Sequence, residues 1–224
     1  MVFDKINQPK QLKPINHKGE MMQKWVLASN NQGKLAEFQA LFDEADLGVH
    51  IITQGSLGIG DVSEDGKSFI ENAIIKARHA AKVSGLPAVA DDSGLCVPIL
   101  GNAPGIFSAR YAGRHGDDAA NNTKLLEQLK PYRSNTPIDA FFVCVLAYVR
   151  HGDDPMPLIA IGKWHGEILN EPVGEHGFGY DPLFYIPKLK KSSAQLDRAA
   201  KNAISHRASA LQDLLCQLKE TWLA

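Results

Sequence analysis

Four short polar clusters hold the side chains that could do chemistry together: Ser29-Asn30-Asn31-Gln32-Gly33-Lys34, Ala90-Asp91-Asp92-Ser93-Gly94, Gly177-Phe178-Gly179-Tyr180-Asp181 and Ser205-His206-Arg207. The first combines a hydroxyl, carboxamides, backbone N–H groups and an ammonium, a donor set suited to a polyphosphate. It lacks the GxxxxGK[ST] pattern of a Walker A loop, and alone it reads equally as an N-capped helix with a solvated lysine. In the second, two adjacent carboxylates are costly to hold unless cations or hydrogen-bond donors compensate them. A divalent ion would do so. Mg²⁺ takes one or two carboxylates together with water and phosphate oxygens, and Glu64 is the candidate second ligand, with Asp61 and Asp65 as competitors. Successive side chains diverge along a strand, so only one aspartate of the pair would reach an ion. The plain alternative is a turn-forming pair before Ser-Gly.

Phe178 between two glycines could stack on a flat ligand that the backbone approaches closely. Asp181 would accept a base N–H or brace the loop, and the plain alternative is a turn entering a strand at Pro182. Lys201, His206 and Arg207 add positive charge near the last helix, where a solvated basic face is the ordinary reading. His79, His115, His151, His165 and His176 have no ligand spacing and read as surface or packing residues.

These clusters need elements to hold them. Residues 25–29 form a short apolar strand, and a helix from Gly33 carries Leu35, Phe38, Leu41 and Phe42 on one face. A second strand covers residues 49–53. Ser68 and Glu71 make a capping box for a helix carrying Ile70, Ala73, Ile74, Ala77 and Ala81, ended by Gly85. Residues 86–90 form a buried strand that delivers Asp91 and Asp92 at its carboxyl end, where open α/β sheets bind ligands. Residues 98–116 read as a long loop and 121–129 as a short helix. Residues 139–150 and 158–168 form a β-ribbon assigned to a second lobe. After a strand at 182–186 and a basic linker at 187–191 comes a last helix with Leu211, Leu214, Leu215, Leu218 and Trp222 at helical spacing. Ser205 is its N-cap, which puts His206 and Arg207 in a first turn that favours an anion.

The chain has 224 residues, 44% of them hydrophobic, enough for one self-sufficient domain, assigned to residues 23–224. Residues 1–22 read as a loose extension, or as preceding a functional start at Met21 or Met22. With 24 basic and 25 acidic residues the formal charge is -1, so the broad positive field of a nucleic-acid binder is absent. Three scattered cysteines offer neither a disulfide framework nor a zinc site, which points to a reducing cytoplasm. The longest apolar run, 140–149, is about half of the ~20 residues that span a bilayer, so no membrane is expected.

The ordered segments SNNQGKLAEF, SFIENAIIKARHAA, ADDSGL, APGIFSARYAG, GFGYDPLF and ISHRASAL resemble the inosine triphosphate pyrophosphatase family, over residues 24 to 220, with its bacterial dITP/XTP members nearest. The resemblance implies an elongated α/β protein, a mixed sheet with two lobes flanking a deep cleft. It also implies a homodimer that uses Mg²⁺ to hydrolyse XTP, ITP and dITP to monophosphate and pyrophosphate. By position, Ser29, Asn31 and Lys34 match the family's phosphate loop, with Asn30, Gln32 and Gly33 inside it. Glu64 and Asp92 match its metal carboxylates, Asp92 also its general base, and Ser93 a substrate contact. Phe178, Gly179, Tyr180 and Asp181 match the base-binding segment, Lys201 a substrate contact, and His206 with Arg207 the base-reading pair. Ser29 stands where the family commonly has threonine, and residues 1–22 have no counterpart. Three rivals remain: an aspartyl-phosphate phosphatase with Asp91 or Asp92 as nucleophile, a nucleotide sensor without turnover, and the related Maf-like pyrophosphatases, against which the FGYD and SHR segments argue.

Overall fold

Trp25 and Leu27 point to one side of their strand and Val26 and Ala28 to the other, and all four are buried, so the sheet here needs cover on both faces. The computed structural model describes residues 22–133 and 137–223 and shows how that cover is built. The extension read for residues 1–22 lies, Met22 apart, outside the described residues, as does the side chain of Trp222.

The strands are β1 (Gln23–Leu27), β2 (Val49–Thr53), β3 (Ala88–Val97), β4 (Ala103–Pro104), β5 (Asp139–Val149), β6 (Leu158–Ile168), β7 (Phe184–Ile186) and β8 (Lys191–Ser192). The helices are α1 (Gln32–Glu44), α2 (Phe69–Ser84), α3 (Asp118–Leu129), α4 (Arg198–Ile204) and α5 (His206–Leu223). Among the described residues the strands form one mixed sheet in the order β2-β1-β3-β5-β6-β7-β8, with β4 beside β3. Its β2, β1 and β3 are parallel, and every further pairing is antiparallel.

On one face, Phe38 and Phe42 of α1 and Leu211, Leu214 and Leu218 of α5 pack on Trp25, Leu27, Val89, Cys144 and Leu146. On the other, Ala73, Ala77, Ala80 and Ala81 of α2 lie on Val26, Ala28, Ala88, Ala90, Val143 and Val145. Small residues on α2 let it approach the sheet closely. A third core beneath α3 joins Leu125 and Leu129 to Leu95, Phe142, Trp164, Leu183 and Phe184. Gly162 of β6 is required by α5: a side chain there would run into the His206 carbonyl and the Ala210 amide.

Three expectations change. The strand read as ending at Ala90 continues to Val97, because Asp91, Asp92, Ser93 and Gly94 keep pairing with β5, opposite Leu146, Val145, Cys144 and Val143. Residues 98–116 contain two 3-10 turns, Pro98–Leu100 and Gly105–Arg110, around β4. Helix α4, capped by the Asp197 side chain on the Ala200 N–H, stands where no helix was expected. The ribbon β5–β6 does form, and it extends the same sheet through β3.

Candidate active site

The turn between β1 and α1 is built as an N-cap. Asn31 Oδ1 accepts the Lys34 N–H at 3.0 Å, Ser29 Oγ accepts the Asn31 N–H at 3.2 Å, and Asn30 Oδ1 reaches across to the Gly55 N–H at 2.8 Å. The plain capping role is therefore realised. Lys34, however, is not a solvated lysine: its Nζ lies 2.7 Å from Asp91 Oδ1. Ser29, Asn30 and Lys34 line a hollow with Asp61, Glu64, Lys76 and Asp91, while Gln32 is exposed and lines none of the hollows here.

Strand alternation separates the two aspartates. Asp91 has the parity of Val89 and turns to the α1/α5 face; Asp92 has that of Ala90 and turns to α2. The Asp91 side chain, 1% exposed, holds Lys34 and also Arg207 Nη2 of α5, 3.5 Å away. Burial alone would push its carboxyl up, but Lys34 and Arg207 override this and hold it well below the usual carboxylate range. Asp92 meets Lys76 Nζ at 2.9 Å and Asn72 Nδ2 at 3.3 Å. Here burial wins over Lys76, and the carboxyl is pushed up to about 6. The crowding of the doublet is thus relieved by Lys34, Arg207 and Lys76, where sequence reasoning turned to a metal.

Lys76 and Asn72 were missed by that reasoning. They lie one turn apart on α2, on the side facing β3, and Lys76 Nζ also stands 3.2 Å from Glu64 Oε1. Burial pulls this ammonium down, yet the charges of Asp92 and Asp91 outweigh it and hold it above its ordinary value. Asp61 instead accepts from Gln54 Nε2 at 2.6 Å. Asp65 lines none of these hollows.

Asp181 braces the second half of the site. Its carboxylate accepts the Phe178 N–H and the Ser193 hydroxyl, each at 2.9 Å, and pairs with Lys201 Nζ. Of the two roles left open for it, the structure shows the brace. Tyr180 sends its hydroxyl to the Ser108 carbonyl at 2.9 Å. Phe178 is 69% exposed, with Lys201 Nζ 4.8 Å from its ring centroid. His206 and Arg207 open α5, whose N-cap is Ser205 through the Ala208 N–H. The His206 ring stacks 5.0 Å from Phe142, and burial, with Arg207 and Lys201 adding to it, pulls its pKa down to about 3. His206 Nδ1 and Arg207 Nε are buried without a hydrogen-bond partner. Such orphans point to a missing ligand or solvent partner.

Lys34 is shared between the hollow at the turn and a second one, and Phe178, Lys201, His206 and Arg207 are shared between that second hollow and a third containing Ser93, Gly179, Tyr180 and Asp181. The three hollows adjoin through these shared residues, with the phosphate-type donors in the first and Phe178 lining the second and third. His176, read as surface or packing, lines the second.

The donor set fits Mg²⁺. Glu64 and Asp92 present hard carboxylate oxygens to a common cation, the Lys76 ammonium. Two carboxylates completed by water and phosphate is the pattern that Mg²⁺ favours.

The chain is also similar to known proteins. Over 188 residues the chain is 65% identical to a dITP/XTP pyrophosphatase of Acinetobacter baumannii, covering 84% of this chain and 90% of that one. To the Burkholderia pseudomallei dITP/XTP pyrophosphatase it is 58% identical, covering 87% and 93%. A HAM1 protein from Coxiella burnetii superposes with a TM-score of 0.83 at 50% identity, covering 89% of this chain and all of that one. A nucleoside-triphosphatase, or dITP/XTP pyrophosphatase, from Mycobacterium abscessus superposes at 0.73 with 40% identity, covering 88% and 100%. The sequence model of the Ham1 family matches residues 25–217, from the first strand into the last helix, and on this match together with the fold the chain belongs to the Ham1 family.

Proposed function

We propose that this protein hydrolyses deaminated purine nucleoside triphosphates, dITP, ITP and XTP, between the α and β phosphates. The carrying observation is Asp91, which grips Lys34 of the phosphate-type turn and Arg207 at the start of α5 at once and so joins the turn to that helix across the hollow that both cations line. Lys34 and the first amides of α1 would bind the polyphosphate and stabilise the departing pyrophosphate. Asp92, with its carboxyl at about 6, is largely ionised at neutral pH and suited to take the proton of an attacking water. As that water adds to the α-phosphorus in line, the bond to the bridging oxygen breaks and pyrophosphate leaves. Lys76 holds Asp92 and Glu64 in register. Glu64 and Asp92 would hold Mg²⁺, which when bound supplies charge neutralisation to the phosphate oxygens.

At the other end Phe178 offers a stacking face, and the Arg207 and Lys201 donors suit a 6-oxo group. Adenine presents a 6-amino donor there and leaves them unpaired, a mismatch that can cost orders of magnitude in rate. The groove is read as the cleft between two lobes of one domain, residues 23–224. A panel of nucleoside triphosphates with Mg²⁺, scored for pyrophosphate on wild type and Asp92→Asn, tests the proposal. Pyrophosphate from ITP, lost in the variant, supports it. Orthophosphate alone would indicate a phosphatase, binding without turnover a sensor, and full activity in Asp92→Asn would remove Asp92 from its role.

A cytoplasmic setting and pairing with a second copy complete the reading. Cys96, Cys144 and Cys216 are free thiols, and no helix among the described residues is long and apolar enough to cross a membrane. The second copy would cover the face of β6 that carries Ile161, beside the exposed Phe107 and Ile70. Sedimentation of the purified protein at twice the monomer mass supports pairing, and a monomer at micromolar concentration refutes it.

A further inference from the structure

Helix α3 contributes no side chain to the phosphate turn, the aspartate doublet or the cations of α5, yet two of its residues close on the backbone of the loop that carries Phe178. Asp118 and Asn122 are four apart and share one face of the helix. Asp118 Oδ2 accepts the Gly179 N–H at 2.7 Å, and Asn122 Nδ2 donates to the Gly179 carbonyl at 3.0 Å. Both polar groups of that residue are thus met by one rigid element. The helix is itself fixed from below by the fully buried Leu125 and Leu129, and from the side by Asn121, whose Oδ1 accepts the Ala112 N–H at 2.7 Å.

The rest of the loop is tied as firmly: Asp181 to Ser193 and Lys201, Tyr180 to the Ser108 carbonyl. The Phe178 backbone N–H is held by Asp181, while its ring, beside the residue that α3 grips, is 69% exposed. Gly179 has a φ of +62° and open space beside its Cα, so no side chain of its own limits where the loop settles. The two contacts from α3 share that task with the Asp181 brace on the Phe178 N–H. Asp118 also faces the groove itself, alongside Phe178 and Arg207.

We propose that Asp118 and Asn122 are positioning residues for base selection: by clamping the Gly179 peptide they set the height and tilt at which Phe178 meets a purine ring. This rests on the reading of Phe178 as the stacking platform. A hydrogen bond to a charged group is worth enough that losing it should change affinity about tenfold.

The test is steady-state kinetics on Asp118→Ala and Asn122→Ala with ITP and ATP, each also in a Phe178→Ala background. The expected result is a rise of about tenfold in KM for ITP, a change in kcat below about twofold, and a narrowed preference for ITP over ATP. In the Phe178→Ala background the same substitutions should alter KM by less than about twofold, and inhibition by inorganic tripolyphosphate, which has no base, should be unchanged. Asp118→Asn, which keeps an acceptor oxygen, should recover most of the loss. Unchanged KM in both single variants overturns the proposal, as does an effect of equal size without the Phe178 ring. If Asp118→Ala fails to fold, Asn122→Ala decides alone. Should Phe178→Ala itself leave KM untouched, the platform reading falls and takes this inference with it; a raised KM there with neither α3 variant affected overturns the clamp only.

Discussion

Asp91→Asn removes one charge at nearly constant shape, so it isolates the strut between the turn that carries Lys34 and the start of α5. At an effective dielectric of about 20, the Coulomb attraction is roughly 6 kcal/mol to Lys34 at 2.7 Å and roughly 5 kcal/mol to Arg207 at 3.5 Å. Most of this is offset by the desolvation of three ions, and breaking a buried pair from one side costs about 3–5 kcal/mol net. Lys34 retains 24% of its side-chain exposure and can turn to water, which favours the lower end, about 3 kcal/mol. For a chain of this size that lowers Tm by about 6–12 °C. The pH dependence has a definite sign: a carboxyl held below its unfolded value stabilises the fold above about pH 4 and loses that contribution as the pH falls through its folded value. Urea melts of wild type and Asp91→Asn should therefore differ by a constant amount from pH 8 to about pH 5 and converge only in acid. Added pyrophosphate should stabilise the variant more than wild type, since an anion then partners the stranded cations. A loss below about 1 kcal/mol, or a gap that ignores acid, would refute the strut.

Gly177→Ala should abolish turnover of ITP, because the φ of +83° strains any other residue by about 1–3 kcal/mol and the new methyl meets the Asp181 carboxylate that braces Phe178; activity within threefold of wild type contradicts this. His206, neutral in the fold with a pKa near 3 and about 6.5 when unfolded, takes up a proton only on unfolding across that window. Stability should fall by up to about 1.4 kcal/mol per pH unit as the pH drops from 6 towards 3, and between pH 6 and about 4, above the range where Asp91 contributes, this slope should be reduced in the melting curves of His206→Gln. Asp154→Ala should destabilise by about 2 kcal/mol with kcat/KM within about twofold, because Asp154 ties Arg150 and the Met156 N–H at the end of the β5–β6 ribbon, away from the Asp92 level. A selective loss of turnover in that variant would show that the ribbon end reaches the site.

The parts legible in the sequence were those written in local signals. The Ser68–Glu71 box caps α2, with the Glu71 N–H on Ser68 Oγ at 3.2 Å, and Gly85 ends it at a φ of +69°. The turn at Ser29–Lys34 and the N-cap at Ser205 belong to the same class. What stayed hidden depends on partners far along the chain. Asp-Asp-Ser-Gly looks like a turn from within, and it remains strand because β5 satisfies its backbone while three cations from α1, α2 and α5 satisfy its carboxylates. Lys76 lay in plain view as one polar residue on a helix read for its apolar stripe. Its place opposite Asp92 follows only once α2 is laid on β3. Asn72 four residues earlier, polar and fully buried, marks the same face. The length of α4 is seven residues, too short for periodicity to announce it.

The doublet also shows why adjacent identical residues can be assigned different work. Asp91 and Asp92 are neighbours in sequence, yet the pleat sends one to a face closed by α1 and α5 and the other to a face closed by the alanines of α2. The first meets two cations and is locked as an anion. The second meets one cation shared with Glu64, in a setting where burial lifts its pKa towards neutrality. A shift of β3 by one residue against β5 would exchange these environments, placing a carboxylate of raised pKa against Lys34 and Arg207. The register is therefore part of the chemistry. It is held by nine consecutive pairings from Ala88↔Val149 to Cys96↔Phe141, whose apolar members must stay on their own faces, so the same alternation that builds the two cores decides which aspartate is the strut and which remains available to a substrate.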